Sequence, residues 1–522
     1  QGGGIALERG DINFSSTDRC NIYSNSIDHN RGYGKDLLVY DDIIMDVVVD
    51  TFTVYTSSDY YSNPVANFTF DILNAVNGDL INGDVFVSVN GDDSNDGLSF
   101  DTPFKTIQYA LGKIYADSIN TNTIHLGPGL YSPSTNNEQY PISWSSFVNL
   151  SGSGENETIL KADELFKRMF IFFELSNIKF DSLSIQTSSG MEIYHSSLII
   201  NDVTFENNFA NNGGAVDCQY YAMPVFNNVT FKNNFAQIVP NTSPQGPSGA
   251  GGAVIISSGD AYPVFNYCTF IGNNAESSGG AIENMHAQAD FNFCLFMDNM
   301  STERGASISG PGNILVQNTT FYNNQSTDLE GTNISIENGS GVINSSIMWN
   351  NHPTELYEGS NIGITFSNID GGYEGEGNIE LDPLFCDTEN MNFNLQENSP
   401  CIGTGQDGAN IGAFEVGCSD ELSVDSNLNP LGFSLKQNYP NPFNPTTNIN
   451  VDIKNTSFVK LNIYDIRGRY IKLFINENLS QGRYSFLWDA TDNAGQQVPA
   501  GMYICVLEAG GVRLSKKMLL LK

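Results

Sequence analysis

From residue 198 to residue 350 apolar and polar positions alternate in short runs, the period-two pattern of strands with one face buried. A longer period is laid over that alternation. It is marked by six copies of a Phe-x-x-Asn element: Phe205 to Asn208, Phe231 to Asn234, Phe270 to Asn273, Phe296 to Asn299, Phe321 to Asn324 and, with Ile for Phe, Ile347 to Asn350. The steps between them are 26, 39, 26, 25 and 26 residues. An apolar residue stands five places before each mark (Ile200, Phe226, Phe265, Phe291, Val316, Val342), and a small or apolar one two places before (Val203, Val229, Cys268, Cys294, Thr319, Ser345).

A repeat of this length with short strands and glycine turns predicts a parallel solenoid, because each coil can bury its inner face only on the coils above and below. Coils then lie about 4.8 Å apart, and each terminal Asn is expected to stack on the next, its amide bonding both ways. That assigns these Asn residues to architecture rather than to a ligand. Gly213-Gly214-Ala215, Gly251-Gly252-Ala253 and Gly279-Gly280-Ala281 are predicted tight turns, and in Arg304-Gly305-Ala306 an Arg is expected to replace the first glycine. The 39-residue step reads as one coil with a loop let out from Ile238 to Ser248. Loops of that kind project from one face of a solenoid.

Phe-x-x-Asn with Gly-Gly-Ala-(Ile/Val) resembles the repeat of polymorphic outer-membrane proteins and related autotransporter passengers. The resemblance spans roughly residues 180 to 350 and implies a right-handed parallel β-helix displayed on a bacterial surface. Upstream, Val85 to Val89, the acidic turn Asp92-Asp93-Ser94-Asn95-Asp96-Gly97 and Pro103 to Leu111 resemble the opening module of secreted bacterial β-helix proteins. Ile107, Ala110, Leu111 and Ile114 share one helical face, so a short helix there can cap the apolar end of the solenoid. Asp382 to Phe385, Ser399 to Ile402 and Asn410 to Glu415 resemble the closing segment of the same families.

The last 90 residues carry a different signal. Alternating apolar runs separated by Arg467-Gly468, Gln481-Gly482 and Asn493-Ala494-Gly495 predict a small Ig-like sandwich. Asn438-Tyr439-Pro440-Asn441-Pro442-Phe443-Asn444-Pro445, Val459 to Gly468, Trp488-Asp489-Ala490 and Pro499 to Tyr503 resemble the C-terminal sorting domain of type IX secretion substrates. That resemblance implies the type IX secretion machinery as a partner and an extracellular or outer-surface location.

The expected organisation is all-β. Residues 1–35 are expected to be either the end of a preceding β-solenoid, in which case the natural chain is longer, or an N-terminal β segment; residues 36–83 are a β-rich connecting segment. Residues 84–418 form the right-handed parallel β-helix with its N-terminal capping helix. Residues 419–432 are a linker, and residues 433–522 the sandwich. No apolar run is long enough for a membrane-spanning helix. The net charge of −36 disfavours nucleic acid and anionic membranes as partners, since both require clustered Lys or Arg.

Eight cysteines match no zinc spacing. Cys268 and Cys294 occupy one position in successive coils and are expected to stack, either bridged or as reduced apolar residues. Cys386, Cys401 and Cys418 gather where a disulfide would tie down the last turns.

Two functions compete. The architecture resembles that of many polysaccharide lyases and glycoside hydrolases. A lyase needs a Lys or Arg base near a uronate, yet Arg304 is the only Lys or Arg between Asn233 and Gly417. Inverting hydrolysis needs two carboxylates about 6.5–9.5 Å apart. Asp217 and Glu283 each follow a Gly-Gly-Ala turn by two places, with Ile255 in the coil between them. The acidic turn with Asp92, Asp93 and Asp96 offers oxygen ligands for calcium but lacks a downstream bidentate Glu, and such residues are ordinary turn formers. Trp144, Tyr194, Tyr220 and Tyr221 suit sugar stacking or core filling. No residue is assigned as catalytic, cofactor-binding or metal-ligating, and no cofactor is implied. The expectation is a non-catalytic extracellular scaffold or adhesin whose partner is a glycan, a cell-surface protein or further copies of itself in a fibre, with a carbohydrate-active enzyme as the alternative.

Overall fold

The computed structural model describes residues 5–7, 12, 14–17, 19–23, 25, 35–39, 43–76, 80–119, 121–165, 167–238, 249–328, 333–352, 361–418, 433–436, 438, 441, 443–454, 456–479, 482–510 and 512–521. Most of the loop expected from Ile238 to Ser248 lies outside the described residues, as do the linker expected at 419–432 and the Tyr439-Pro440 part of the Asn438–Pro445 motif. The chain divides into two compact units, Gln1–Asp420 and Glu421–Lys522.

The first unit is a parallel β-helix. A representative coil runs along Leu198–Glu206, bends through Phe209–Ala210 and returns along Val216–Gln219; each segment pairs in parallel with its counterpart one coil on. Repetition of these three segments builds sheets of nineteen, five and eight strands. Inward side chains fall in columns. Phe205, Phe231, Phe270, Phe296 and Phe321 stack with centroids 4.5–5.1 Å apart, and Phe226, Phe265 and Phe291 form a second stack beside them. Tilted contacts such as Phe226 with Phe231 lock the two stacks together.

The Asn column closes the corner of each coil. From Asn234 through Asn273, Asn299 and Asn324 to Asn351, each side-chain Oδ1 accepts from the backbone N–H and from the Nδ2 of the Asn in the preceding coil, with amide-to-amide distances of 2.8–3.0 Å, and Asn208 Oδ1 at the start accepts from Ser188 N and Oγ. The second Nδ2 hydrogen goes to a backbone carbonyl of the preceding coil, for example Phe231 O from Asn273. All the donors and acceptors a buried corner would otherwise strand are thereby satisfied.

The sixth mark sits one residue later than the sequence pattern placed it. Met348, not Ile347, pairs with Phe321; Ile343, not Val342, pairs with Val316; and Asn351, not Asn350, joins the ladder. Ser346 rather than Ser345 then occupies the small-residue column, where its hydroxyl accepts from Thr319 N. The residue before each ladder Asn has positive φ: Asn207, Asn233, Gly272, Asp298, Asn323 and Asn350. Asn, Asp and Gly are the residues that tolerate that conformation.

A second shift of one concerns the glycine turns. Ile282 pairs with Ile308, so Gly305 aligns with Gly279, both at positive φ, and Ala306 replaces the second glycine rather than Arg304 the first. The second glycine is needed where coils touch backbone to backbone: a Cβ on Gly214 would lie 2.2 Å from Gly252 O, and one on Gly252 would lie 2.1 Å from Gly280 O.

Before the main stack, Ile5–Leu7, Leu37–Val39 and Ser62–Asn63 form one parallel sheet, and Cys20–Ile22, Met45–Phe52 and Phe68–Ala75 another. Their side chains share one continuous core with the coils that follow. Helix α1 (Ile107–Lys113) buries Ile107, Ala110 and Leu111 in that core, while Tyr60 and Tyr61 hydroxyls donate to carbonyls of Gln108 and Gly112 on the helix. At the other end, Phe385–Asp387 and Asn392–Gln396 fold back so that Phe385 and Phe393 pack on Tyr322. Cys386 and Cys418 are bridged there, and Cys401 is a buried thiol. Cys268 and Cys294 are reduced, each thiol directed to a backbone carbonyl of the preceding coil.

The second unit is an Ig-like sandwich. One sheet is Ser434–Leu435, Thr447–Ile453 and Gly482–Trp488; the other orders Tyr470–Leu479, Ser457–Asp465, Gly501–Ala509 and Val512–Leu520. Trp488 lies between Phe443 and Tyr503 in the core, its indole N–H donating to Thr491 O.

Candidate functional site

The outer face of the eight-stranded sheet brings together two of the charged residues the sequence singled out, Asp217 and Glu283. In each short strand the first and third side chains point into the core, as Val216 and Cys218 do, so the middle one points outward. In register these middle residues are Ile171, Glu192, Asp217, Ile255, Glu283, Ser309 and Ser335. Although they point away from the core, all are buried. The glycine turns explain part of this: a Cβ on Gly213 would meet the Ile255 side chain and one on Gly305 the Ser309 side chain, so the turns wall in the column.

Asp217 and Glu283 therefore stand in one column with Ile255 between them. Asp217 is fully engaged. Its Oδ2 accepts from Gln219 Nε2 at 2.8 Å and Arg168 Nη2 at 3.2 Å, and its Oδ1 accepts from Ser257 Oγ at 3.0 Å. Arg168 also lies 3.5 Å from Glu192 Oε2 and donates to the carbonyls of Ser189 and Met191. One guanidinium thus neutralises two buried carboxylates, the arrangement for which its planar fork is suited. Sequence reasoning missed Arg168, which lies ahead of the first Phe-x-x-Asn mark and belongs to no repeat position.

Glu283 has no such partner. It accepts from Ser278 Oγ at 2.9 Å, and burial pushes its carboxyl up to about 7, opposed by the hydroxyls of Ser278 and Ser309 and reinforced by nearby Glu303. A carboxylic acid that is half protonated near neutral pH can donate as well as accept a proton. Arg304, the sole Lys or Arg between Asn233 and Gly417, is paired with Glu337.

The remaining candidates are spread elsewhere in the first unit. Asp92 Oδ1 accepts from Ser94 N and Asp96 Oδ1 from Leu98 N and Thr102 Oγ1, while Asp93 accepts from Lys105 N and Thr106 N ahead of α1. These are turn and helix-entry contacts. Among the described residues no group of His, Cys, Asp and Glu has metal-binding geometry. Glu138, like Asp36, Asp59 and Glu192, is a buried acid that the sequence did not mark. It accepts from Ile107 N and Gln108 N at the start of α1, and burial lifts its carboxyl to about 7. Trp144 is core, its indole N–H donating to Val148 O, whereas Tyr220 and Tyr221 are exposed beside Gln219.

No helix among the described residues is long and apolar enough to cross a membrane. None of the curated proteins matches the chain. Among solved structures the chain is similar to Geobacillus virus E2 ORF18 (13% identity, 83% of this chain and 76% of that one, TM-score 0.34) and to pectin methylesterase from carrot (10%, 58% and 88%, TM-score 0.30). It is also similar to the tailspike protein gp49 of Acinetobacter baumannii bacteriophage Fri1, a capsular polysaccharide depolymerase (12%, 85% and 78%, TM-score 0.25). Nothing about activity transfers at that level of similarity. Residues 439–511 match the FlgD Ig-like domain. Residues 89–361, the greater part of the β-helix, match the family described as a protein of unknown function, DUF1565, and the chain belongs to that family.

Proposed function

We propose that the chain is a non-catalytic, glycan-binding scaffold or adhesin on the outside of a bacterial cell. The observation that carries this reading is the state of Asp217. The Asp217 carboxylate is neutralised by Arg168 and hydrogen-bonded by Gln219 and Ser257 within the fold, and Ile255 stands between it and Glu283 in the column. Export and outer-surface location are part of the proposal and rest on the motif resemblance of residues 433–522 to type IX sorting domains. Secretion of a reporter fused to residues 433–522 in a type IX-competent strain, and its retention when the machinery is deleted, tests that part. Size-exclusion chromatography tests the fibre form, which a strictly monomeric particle overturns.

A second reading, a carbohydrate-active enzyme, is favoured by Glu283 alone, because a carboxyl pushed up to about 7 has the acidity of a general acid. Assays on neutral and acidic polysaccharides separate the two. Absence of cleavage is expected. Cleavage that disappears in Glu283→Gln or Asp217→Asn would establish the enzyme instead.

A further inference from the structure

Where the eight-stranded sheet ends, two successive turns carry a cluster of rings. Phe173 stacks on Tyr194 at 4.8 Å, and Tyr194 stacks on His195 at 4.6 Å. Tyr220 lies 5.0 Å from Tyr194, and Tyr221 meets His195 edge-on at 4.9 Å. Phe173 is buried, but Tyr220 and Tyr221 are 49% and 52% exposed. The cluster is rooted in the fold and open on its outer side.

The fold does not require rings there. In the next coil the same turn is made by Ser258 and Gly259, neither at positive φ, after Ile256 pairs with Cys218. Tyr220 and Tyr221 instead sit at φ 28° and 32°, continuing the positive-φ corner made by Glu174 at 57° and His195 at 46° in the two preceding coils. In place of Ser-Gly this coil presents two exposed tyrosines, so the rings belong to these coils and are not demanded by the turn.

The polar neighbours define the ligand class. Gln219 follows Cys218 directly and is tied through Nε2 to Asp217, which leaves its amide oxygen as an acceptor; Ser257, exposed in the adjacent coil, is tied to the same carboxylate. A pyranose ring offers an apolar C–H face to an aromatic face and hydroxyls around its rim, and this ledge supplies partners for both. Asp217, Glu192 and Glu174 lie in the same coils, and the chain carries a net charge of −36, so a polyanionic glycan is disfavoured.

We propose that Tyr194, His195, Tyr220 and Tyr221, with Gln219 and Ser257 beside them, form a binding subsite for a neutral glycan chain. It rests on the glycan-binding reading above and names its ligand class. The test uses the full chain in affinity electrophoresis through gels containing laminarin, xyloglucan or galactomannan, with polygalacturonate as the anionic comparison. Retardation by at least one neutral glycan is expected, weakened at least about tenfold in Tyr220→Ser/Tyr221→Gly, the loss of two stacking faces. That variant copies the residues of the next coil, and Tyr221→Gly suits its positive φ, so its melting temperature is expected to hold. Tyr262→Ala, an exposed tyrosine bonded to Asp290, is expected to change nothing. The subsite is overturned if no neutral glycan retards the chain, if the double variant binds as well as the parent, or if polygalacturonate binds more tightly. Binding accompanied by cleavage keeps the subsite and removes the non-catalytic reading. Absence of binding removes the subsite and the glycan-binding part of that reading, leaving its non-catalytic part standing.

Discussion

The Asn ladder and the outward column of the eight-stranded sheet run through the same coils yet obey different rules. The ladder repeats one residue from Asn208 to Asn351, because each amide completes hydrogen bonds for the coil on either side. The outward column changes at every step, from Glu192 to Asp217, Ile255, Glu283 and Ser309, because no register requirement acts on a side chain pointing away from the core. Uniformity in this molecule marks architecture, and variation marks the places free to take on chemistry.

The sharpest break of that contrast is Asn273→Ala. It leaves the N–H and one Nδ2 hydrogen of Asn234 buried without acceptors and is expected to cost about 4 kcal/mol in urea unfolding. A change below about 1 kcal/mol would show that the ladder is not a structural necessity. Next in size is Arg168→Met, which leaves Asp217 and Glu192 buried without their shared cation; a loss of about 3 kcal/mol is expected. A stability unchanged from the parent would show that the outward column is solvated rather than enclosed.

Glu283 sharpens the comparison through pH. Its folded-state carboxyl lies near 7 against an ordinary 4.5, so the folded chain holds this proton more tightly than the unfolded chain between those values. The resulting stability is fully present below 4.5 and lost as pH rises through 7. Relative to Glu283→Gln, the parent is expected to lose up to about 3 kcal/mol between pH 4 and pH 8, and parallel pH profiles would contradict the burial assigned to this group. The smallest effect tests the corrected register. Asn350→Ala removes only an exposed positive-φ Asn and is expected to cost about 1 kcal/mol, whereas Asn351→Ala breaks the ladder and costs several times more. Equal effects would undo the one-residue shift.

Much of this was legible in the chain. Phe-x-x-Asn named the stacked rings and the ladder, and alternation named the sandwich. The register of the sixth coil was legible too, in a signal left unused. The residue before each ladder Asn is Asn, Asp or Gly, so Trp349-Asn350-Asn351 fits the pattern only if Asn351 is the ladder residue. The glycine turn at Arg304 erred for a similar reason, since Gly305-Ala306 shares a glycine with Gly279-Gly280 at either alignment and only strand pairing decides between them. Arg168 was not legible, because it reaches strands 24 and 49 residues further along the sequence.

By itself the sequence determined the coil: its period, its inward rings and amides, and its glycine turns, all of which are set by contact with an identical neighbour one period away. Only the tertiary structure decided what the outward side chains do. It enclosed Asp217 with Arg168, left Glu283 without a cation, and exposed Tyr220 and Tyr221 while burying Trp144. The physical reason is that a repeat constrains positions that touch their own copies, whereas charge pairing and exposure depend on neighbours that are remote in sequence and follow no period.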